Sequence, residues 1–302
     1  MYDIIIVGGG PAGMTAALYG LRNGKSVLVI EKAGFGGQIT YSPRVENIPS
    51  HTVISGNEFA DKFFEQILSQ GADVELEEVC AVMDEGEKKI VETKEGSSFE
   101  GRTVIIAAGV KHRMLGLEGE DELVGEGISF CAVCDGDFYK GKTVCVAGGG
   151  NSAFVEAVLL AEKCEKVIML QDLPEFTADK KLQEDLFKHD NVITYTDTKI
   201  LALIRERGAF AGVEIERKTS GEKRVIKCDG MFVAIGLIPQ NEPYAELAEL
   251  NSYGYFESGE DCRTRTPGIF VAGDCRSKRV RQVTTACADG AMAALAACEY
   301  LR

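Results

Sequence analysis

Ile4-Ile5-Ile6-Val7 is apolar at every position and stops at a glycine run, Gly8-Gly9-Gly10-Pro11-Ala12-Gly13. An unbroken apolar run of this length predicts a strand buried on both faces, as parallel sheets require. A small-residue stretch from Met14 to Arg22 predicts a helix, and Ser26 to Ile30 predicts a second strand. The same order returns later in the chain. Thr143 to Ala147 leads into Gly148-Gly149-Gly150-Asn151-Ser152-Ala153, then a helix through Leu160, then the strand Val167 to Leu170. Strand, glycine turn, helix and strand make a dinucleotide-binding βαβ unit, here present twice.

Three further apolar runs end in glycine: Val104 to Gly109, Phe232 to Gly236, and Ile269 to Gly273 followed by Asp274. A small-residue helix from Thr284 to Leu301 closes the chain. The pattern predicts an α/β protein with two Rossmann-like, three-layer nucleotide-binding domains, the second inserted in the first. Residues 1–112 and 241–302 would form the split domain, and residues 113–240 the inserted one. Gly125-Glu126-Gly127 and Pro239-Gln240-Asn241 are candidate hinges between them.

Composition narrows the function. The 302 residues carry 33 basic and 47 acidic side chains, a net charge of -14. Such a surface repels phosphate backbones and anionic lipid, which argues against nucleic-acid and membrane partners. No apolar stretch approaches the ~20 residues of a membrane span. The N-terminus has no basic leader, so a cytoplasmic location is expected. Ten cysteines are scattered along the chain, and only Cys131 and Cys134 form a CxxC pair. A zinc site lacks its remaining ligands, because the three histidines (His51, His112, His189) are not at ligand spacing from that pair. No metal is expected. The pair therefore reads as a redox dithiol. The other eight cysteines read as core or incidental, Cys275 among them, and His112 as a surface histidine, with a place at the interdomain hinge as the alternative.

The first glycine turn, Gly8, Gly10, Pro11, Ala12 and Gly13, can cradle a pyrophosphate at a helix N-terminus. Glu31, 18 residues beyond Gly13, stands where an acid bonds ribose hydroxyls, with Lys32 beside it. The bland alternative is an acidic surface residue at a strand end.

Gly36-Gly37-Gln38-Ile39-Thr40, Val45-Glu46-Asn47-Ile48-Pro49, Cys131-Ala132-Val133-Cys134-Asp135-Gly136, and Val271-Ala272-Gly273-Asp274 with Arg281-Gln282 resemble the low-molecular-weight thioredoxin reductases, in order and over nearly the whole chain. The resemblance implies FAD on the split domain, a pyridine nucleotide on the inserted one, and a homodimer. It assigns Gly37, Gln38, Asn47, Ala108, Gly109, Gly273, Asp274, Arg281, Gln282 and Val283 to the flavin. It assigns Cys134 to the flavin side and makes Cys131 the interchange thiol that attacks thioredoxin or a thioredoxin-like protein. Asp135 would then be the proton donor, its bland alternative being a helix N-cap.

One departure matters. NADPH-using members of that family carry an arginine cluster for the 2′-phosphate, and this chain reads Gln171-Asp172-Leu173-Pro174-Glu175-Phe176-Thr177. Three readings follow. NADH is the donor, bound at Gly148, Gly150, Asn151, Ser152 and Ala153, with Asp172 or Gln171 bonding the free ribose. Alternatively the nucleotide site is vestigial and ferredoxin supplies electrons. In the third, the enzyme is a flavin dithiol oxidase. The intact glycine turn favours the first, unless its glycines serve only close packing. A non-catalytic redox sensor is the reading from another functional class.

Overall fold

The computed structural model describes all 302 residues, which divide into two compact units. The first comprises Met1–Pro43, Ile48–Lys111 and Ile238–Arg302; the second comprises Arg44–Asn47 and His112–Leu237. The chain crosses between them at residues 43–44, 47–48, 111–112 and 237–238.

Unit 1 is built on a seven-stranded sheet. Its strands are β1 (Tyr2–Val7), β2 (Val27–Glu31), β3 (Asp73–Leu76), β4 (Val79–Glu85), β5 (Lys88–Thr93) and β6 (Ser98–Ile106), in the order β3-β2-β1-β6-β5-β4. Strand β17 (Ile269–Val271) pairs in parallel with the end of β6. Ile4, Ile5 and Ile6 of β1 have no exposed surface, as an interior parallel strand demands. Helix α1 (Pro11–Arg22) and the C-terminal helix α7 (Val283–Tyr300) pack together on one face, and α2 (Gly56–Ser69) packs beside α1. The α1–α7 contact is made of backbone and methyl groups. A side chain on Gly290 would lie 2.1 Å from the Ala12 carbonyl oxygen, so only glycine lets the last helix reach the first.

Two short strands on the connecting segments, β7 (Val110–His112) and β16 (Leu237–Pro239), pair with each other. Asn241, just beyond them, is 1% exposed and its amide donates to the Gly254 and Cys275 carbonyls, both at 2.9 Å. It is a fixed point of unit 1, which removes it from the expected hinge.

Unit 2 holds a five-stranded parallel sheet, β11-β10-β9-β15-β8. These strands are β8 (Ile128–Ser129), β9 (Thr143–Ala147), β10 (Lys166–Leu170), β11 (Val192–Tyr195) and β15 (Gly230–Val233). Helices α5 (Asn151–Ala161) and α6 (Lys180–Leu186) share one core cluster with the sheet. The antiparallel sheet β12 (Thr198–Glu206), β13 (Ala209–Arg217) and β14 (Lys223–Lys227) shares the other. Short helices α3 (Glu120–Leu123) and α4 (Ala132–Asp135) flank β8.

Two expectations are corrected here. Gly125–Gly127 lies inside unit 2 and is no hinge: the Gly127 carbonyl accepts from the Met231 N–H at 2.8 Å, and a side chain on Gly127 would run into Phe210. Asn47, expected with the first domain, is grouped with unit 2. No helix is long and apolar enough to cross a membrane.

Candidate redox and nucleotide sites

Strand β8 delivers the chain to Cys131, which caps the first turn of α4. Cys131 and Cys134 are joined as a disulfide with Cα atoms 5.3 Å apart. The Cys134 N–H donates to Cys131 Sγ at 3.2 Å. A main-chain donor aimed at that sulfur stabilises a thiolate there once the bond is reduced. Ser129 completes the turn: its Oγ donates to Asp135 Oδ2 at 2.6 Å and accepts the Cys131 N–H at 3.1 Å. Asp135 therefore does not cap the turn that follows it, as its bland reading expected; its carboxyl turns back to Ser129. Burial raises the Asp135 carboxyl above the ordinary range, against the opposing pull of the Ser129 bond. Its second oxygen, Oδ1, is buried and accepts no hydrogen bond. Both features disfavour the ionised carboxylate relative to one in open solvent.

Six of the eight remaining cysteines lie in the interior. Cys145, Cys164, Cys228, Cys262, Cys275 and Cys298 are buried, and burial pushes the Cys275 thiol up to about 12. His112 is not the surface residue expected. Its ring stacks on Phe130, centroids 4.3 Å apart, and burial lowers its pKa to about 4. It is neutral at physiological pH. No group of three or more His, Cys, Asp or Glu is placed to hold a metal ion.

In unit 1 the glycines of the first turn serve different purposes. A side chain on Gly8 would meet the Ala107 carbonyl oxygen at 2.4 Å, and one on Gly13 the Gly8 carbonyl oxygen at 1.8 Å. Those two glycines are required by packing of the turn itself. Gly10 is different: nothing lies nearer to its missing Cβ than the Gly36 carbonyl oxygen, at 4.0 Å. Protein packing does not demand glycine there, but close approach of a phosphate does. Helix α1 has no side-chain cap and no acid in its first turn, which leaves the N–H groups behind Pro11 free for an anion. Gly37, with φ +62, brings the 3-10 turn Gly37–Tyr41, including Gln38, over Gly10.

Glu31 ends β2. Its Oε2 accepts the Gly9 N–H at 2.7 Å and its Oε1 the Ala33 N–H at 3.0 Å. It lines a cavity of about 380 Å³ together with Lys32, Gly8, Glu77 and Ala108. At the far end of the turn, β17 delivers Gly273 and Asp274. Gly273, at φ +80, allows the chain to pass Ala12, whose Cβ would lie 2.8 Å from a side chain there. Asp274 Oδ1 is buried without a hydrogen-bond partner, and burial raises this carboxyl. A buried acceptor with no donor in the protein calls for a donor from a ligand, and ribityl hydroxyls meet that need. Gln282 caps α7 in a reciprocal capping box with Thr285, and Val283 opens the helix. Arg281 lies over the Tyr255 ring, 4.3 Å from its centroid, and donates to the Asp274 carbonyl at 3.2 Å. The residues present in unit 1 fit FAD.

The second turn repeats the first in register. Val7 pairs with Ile30 as Ala147 pairs with Leu170. The residue that answers to Glu31 is thus Gln171, and Asp172 lies one place beyond. A side chain on Gly149 would collide with Gln171, as one on Gly9 would meet Glu31. Gln171 is buried and its amide reaches the Glu175 carbonyl at 3.4 Å. Asp172 is exposed and paired with Lys218, Nζ to Oδ2 3.6 Å. Gly148 is demanded by packing against the Ala234 carbonyl, 2.5 Å from its missing Cβ, whereas Gly150 meets only Thr177 Oγ1 at 3.6 Å. Packing alone therefore does not account for Gly150. Asn151 opens α5 with Ser152 and Ala153, and makes a reciprocal pair with Asp179 at 3.0 and 2.8 Å.

Ser129, Asp179, Lys218 and Asp289 were not singled out from the sequence. Asp289 holds the Gly273 N–H at 3.0 Å while pairing with Arg276 and Lys278 at 2.8 and 2.9 Å, so it fixes the turn that carries Asp274. Each is remote in sequence from the group it serves, or carries no motif.

The family model described as pyridine nucleotide-disulphide oxidoreductase matches residues 2–290. The chain is 39% identical to the thioredoxin reductase of Bacillus subtilis over 302 residues, covering 100% of this chain and 95% of that one. It is 38% identical over 300 residues to a 34.2 kDa protein in the rubredoxin operon of Clostridium pasteurianum, covering 99% and 97%. Among solved structures, the thioredoxin reductase of Streptococcus pyogenes superposes with a TM-score of 0.94 at 37% identity, covering 100% of this chain and 98% of that one.

Proposed function

The chain belongs to the pyridine nucleotide-disulphide oxidoreductase family as a flavoprotein oxidoreductase, and from that premise we propose that it reduces the disulfide of thioredoxin or a thioredoxin-like protein through Cys131 and Cys134. The observation that carries the reading is the Cys131–Cys134 disulfide set beside a buried Asp135 whose carboxyl is raised above the ordinary range. The names of the Bacillus subtilis and Streptococcus pyogenes relatives support thioredoxin as the partner.

FAD would be held by Gly10, Glu31, Asp274 and the start of α7, and when bound it would supply a two-electron carrier. The Cys131–Cys134 bond accepts the electron pair and opens to a Cys131 thiolate and a Cys134 thiol. Cys131 attacks the partner's disulfide, forming a mixed disulfide and expelling a partner thiolate. Asp135 gives that thiolate its proton. Asp135 then takes the Cys134 proton, and the Cys134 thiolate attacks Cys131 sulfur. The second partner thiolate leaves and takes that proton from Asp135. The enzyme disulfide is restored, the partner holds two thiols, and Asp135, left ionised, regains its proton from solvent.

NADH is the proposed donor. From Gln171 to Thr177 there is no cation; Glu175 would repel a 2′-phosphate, and Lys218, the cation nearby, is paired with Asp172. Gln171, in the place of Glu31, can hydrogen-bond a free ribose. A second reading, with reduced ferredoxin as donor, is favoured by the Asp179 carboxylate paired with Asn151 at the start of α5, where a pyrophosphate would bind. Anaerobic mixing of the oxidised holoenzyme with NADH, NADPH or reduced ferredoxin separates these readings through loss of flavin absorbance. Bleaching by NADH ahead of NADPH is the expected result. Faster bleaching by NADPH overturns the charge argument, and bleaching by ferredoxin alone establishes the second reading.

A further inference from the structure

The two glycine turns are built alike up to a point. In the first, the Gly9 carbonyl accepts the Gly36 N–H at 2.9 Å; in the second, the Gly149 carbonyl accepts the N–H groups of Thr177 and Ala178 at 2.9 and 3.1 Å. In each turn the segment after the second strand of the βαβ unit is thereby drawn to the glycines. Neither α1 nor α5 has a side-chain cap or an acid in its own first turn, so both leave N–H groups for an anion. Neither Gly10 nor Gly150 has a side chain excluded by protein packing. The segments then diverge. Two residues beyond Gly36 stands Gln38, a neutral amide; two residues beyond Thr177 stands Asp179, a carboxylate.

Asp179 lies at the N-cap of α6, where an aspartate ordinarily accepts from the N–H groups of its own helix. Its side chain makes no such bond. It reaches to α5 instead: Asn151 Nδ2 donates to Asp179 Oδ2 at 3.0 Å, and Asn151 Oδ1 accepts the Asp179 N–H at 2.8 Å. Asn151 is the first residue of α5, directly after Gly150. The pair therefore fixes a carboxylate beside the helix end that would receive a pyrophosphate. No cation forms an ion pair with Asp179; Lys188 goes to Asp185 and Lys218 to Asp172. Both members of the pair are exposed, so the charge acts through solvent and is open to screening by salt.

We propose that Asp179 is a specificity-determining residue of the second nucleotide site: clamped to Asn151, its carboxylate selects against the pyrophosphate itself and so sets a low affinity for NADH and NADPH alike. The inference rests on the reading of the second glycine turn as a nucleotide site. A pyrophosphate would bring negative charge to the α5 N-terminus, where Asp179 has already placed one, and would compete with Asp179 for the Asn151 amide. Discrimination at the ribose 2′ position is a separate matter, set from Gln171 to Thr177. Asp179 acts on the part that the two dinucleotides share. In the first turn Gln38, neutral, brings no such charge.

The test titrates oxidised, FAD-loaded enzyme with NAD⁺ and with NADP⁺ by calorimetry, at low salt and again at about 1 M salt, where charges are screened beyond about 3 Å. Asp179→Asn keeps the hydrogen bonds of the clamp and removes the charge. It should tighten both dinucleotides by the same factor, on the order of tenfold at low salt, and the gap from wild type should close at high salt. Asp179→Ser removes the charge with a different side chain; it should show the same tightening, and it guards against a folding defect in Asp179→Asn. Equal affinity in wild type and both variants overturns the role of Asp179 and leaves the nucleotide reading standing. Tightening of NADP⁺ alone would put the effect at the 2′-phosphate and overturns the proposal. So does weaker binding in the variants, which would make Asp179 a ligand of the nucleotide, and so does a gap that persists at high salt. If neither dinucleotide binds the wild type or either variant at either salt, the nucleotide reading itself fails, and the inference with it.

Discussion

Ser129→Ala tests Asp135 as the proton donor. Ser129 Oγ donates to Asp135 Oδ2 at 2.6 Å and holds the Cys131 N–H at 3.1 Å. The bond to the carboxyl favours its ionised form and so opposes the upward push of burial. A hydrogen bond to a charged group contributes about 1.5–3 kcal/mol. Its loss lets burial act unopposed and raises the Asp135 carboxyl further. Asp135 then keeps its proton to higher pH, so the alkaline fall in thioredoxin reduction moves up. The plateau rate drops, to a tenth at most on the order of magnitude, because a weaker acid transfers its proton less readily. The assay is the anaerobic exchange reaction from about pH 6 to about pH 10, with flavin content and disulfide content measured alongside to confirm an intact site. A limb that stays in place, or that moves down while flavin and disulfide are intact, would refute the assignment of Ser129 and Asp135.

Three further outcomes follow from the packing and the charges. Asp274→Ala removes the buried acceptor that has no donor in the protein, and FAD binding to the apoprotein should weaken by about tenfold or more; flavin fluorescence titration checks it, and unchanged affinity excludes Asp274 from the ribityl contact. Gly290→Ala drives a methyl group into the Ala12 carbonyl, 2.1 Å from its new Cβ, which should cost about 1–3 kcal/mol or more in urea unfolding. His112→Phe should change how stability depends on pH. The native pKa of about 4 lies below the usual 6.5, so the unfolded chain binds a proton that the native state refuses, and stability contributed above pH 6.5 is lost as pH falls toward 4. At about pH 5 that loss is about 2 kcal/mol, and it should vanish in His112→Phe; a gap between the two urea midpoints that does not vary with pH would contradict it.

The fold class was legible because parallel sheets leave a strong signature. Ile4 to Val7 and Thr143 to Ala147 are apolar almost throughout since both faces of those strands are covered, and each runs into a glycine turn whose spacing is set by backbone contact. The CxxC pair was legible for a similar reason: a small disulfide needs its partners three residues apart. The hinge was misread at Gly125–Gly127 because a glycine required for packing under Phe210 looks the same in sequence as one required for motion. Asp135 was weighed as a helix cap, and only the folded turn shows its carboxyl directed at Ser129.

Local sequence therefore determined the elements, the two glycine turns and the redox pair, since each depends on residues a few positions apart. Tertiary structure decided what surrounds them. It matched Gln171, rather than Asp172, to the place of Glu31 through strand register. It brought α7 against α1 across more than 260 residues. It set Asp179 against Asn151, 28 residues apart in the chain. Burial is a property of the packed interior, and it is what raises an ordinary carboxyl at the end of a CxxC motif above its usual range.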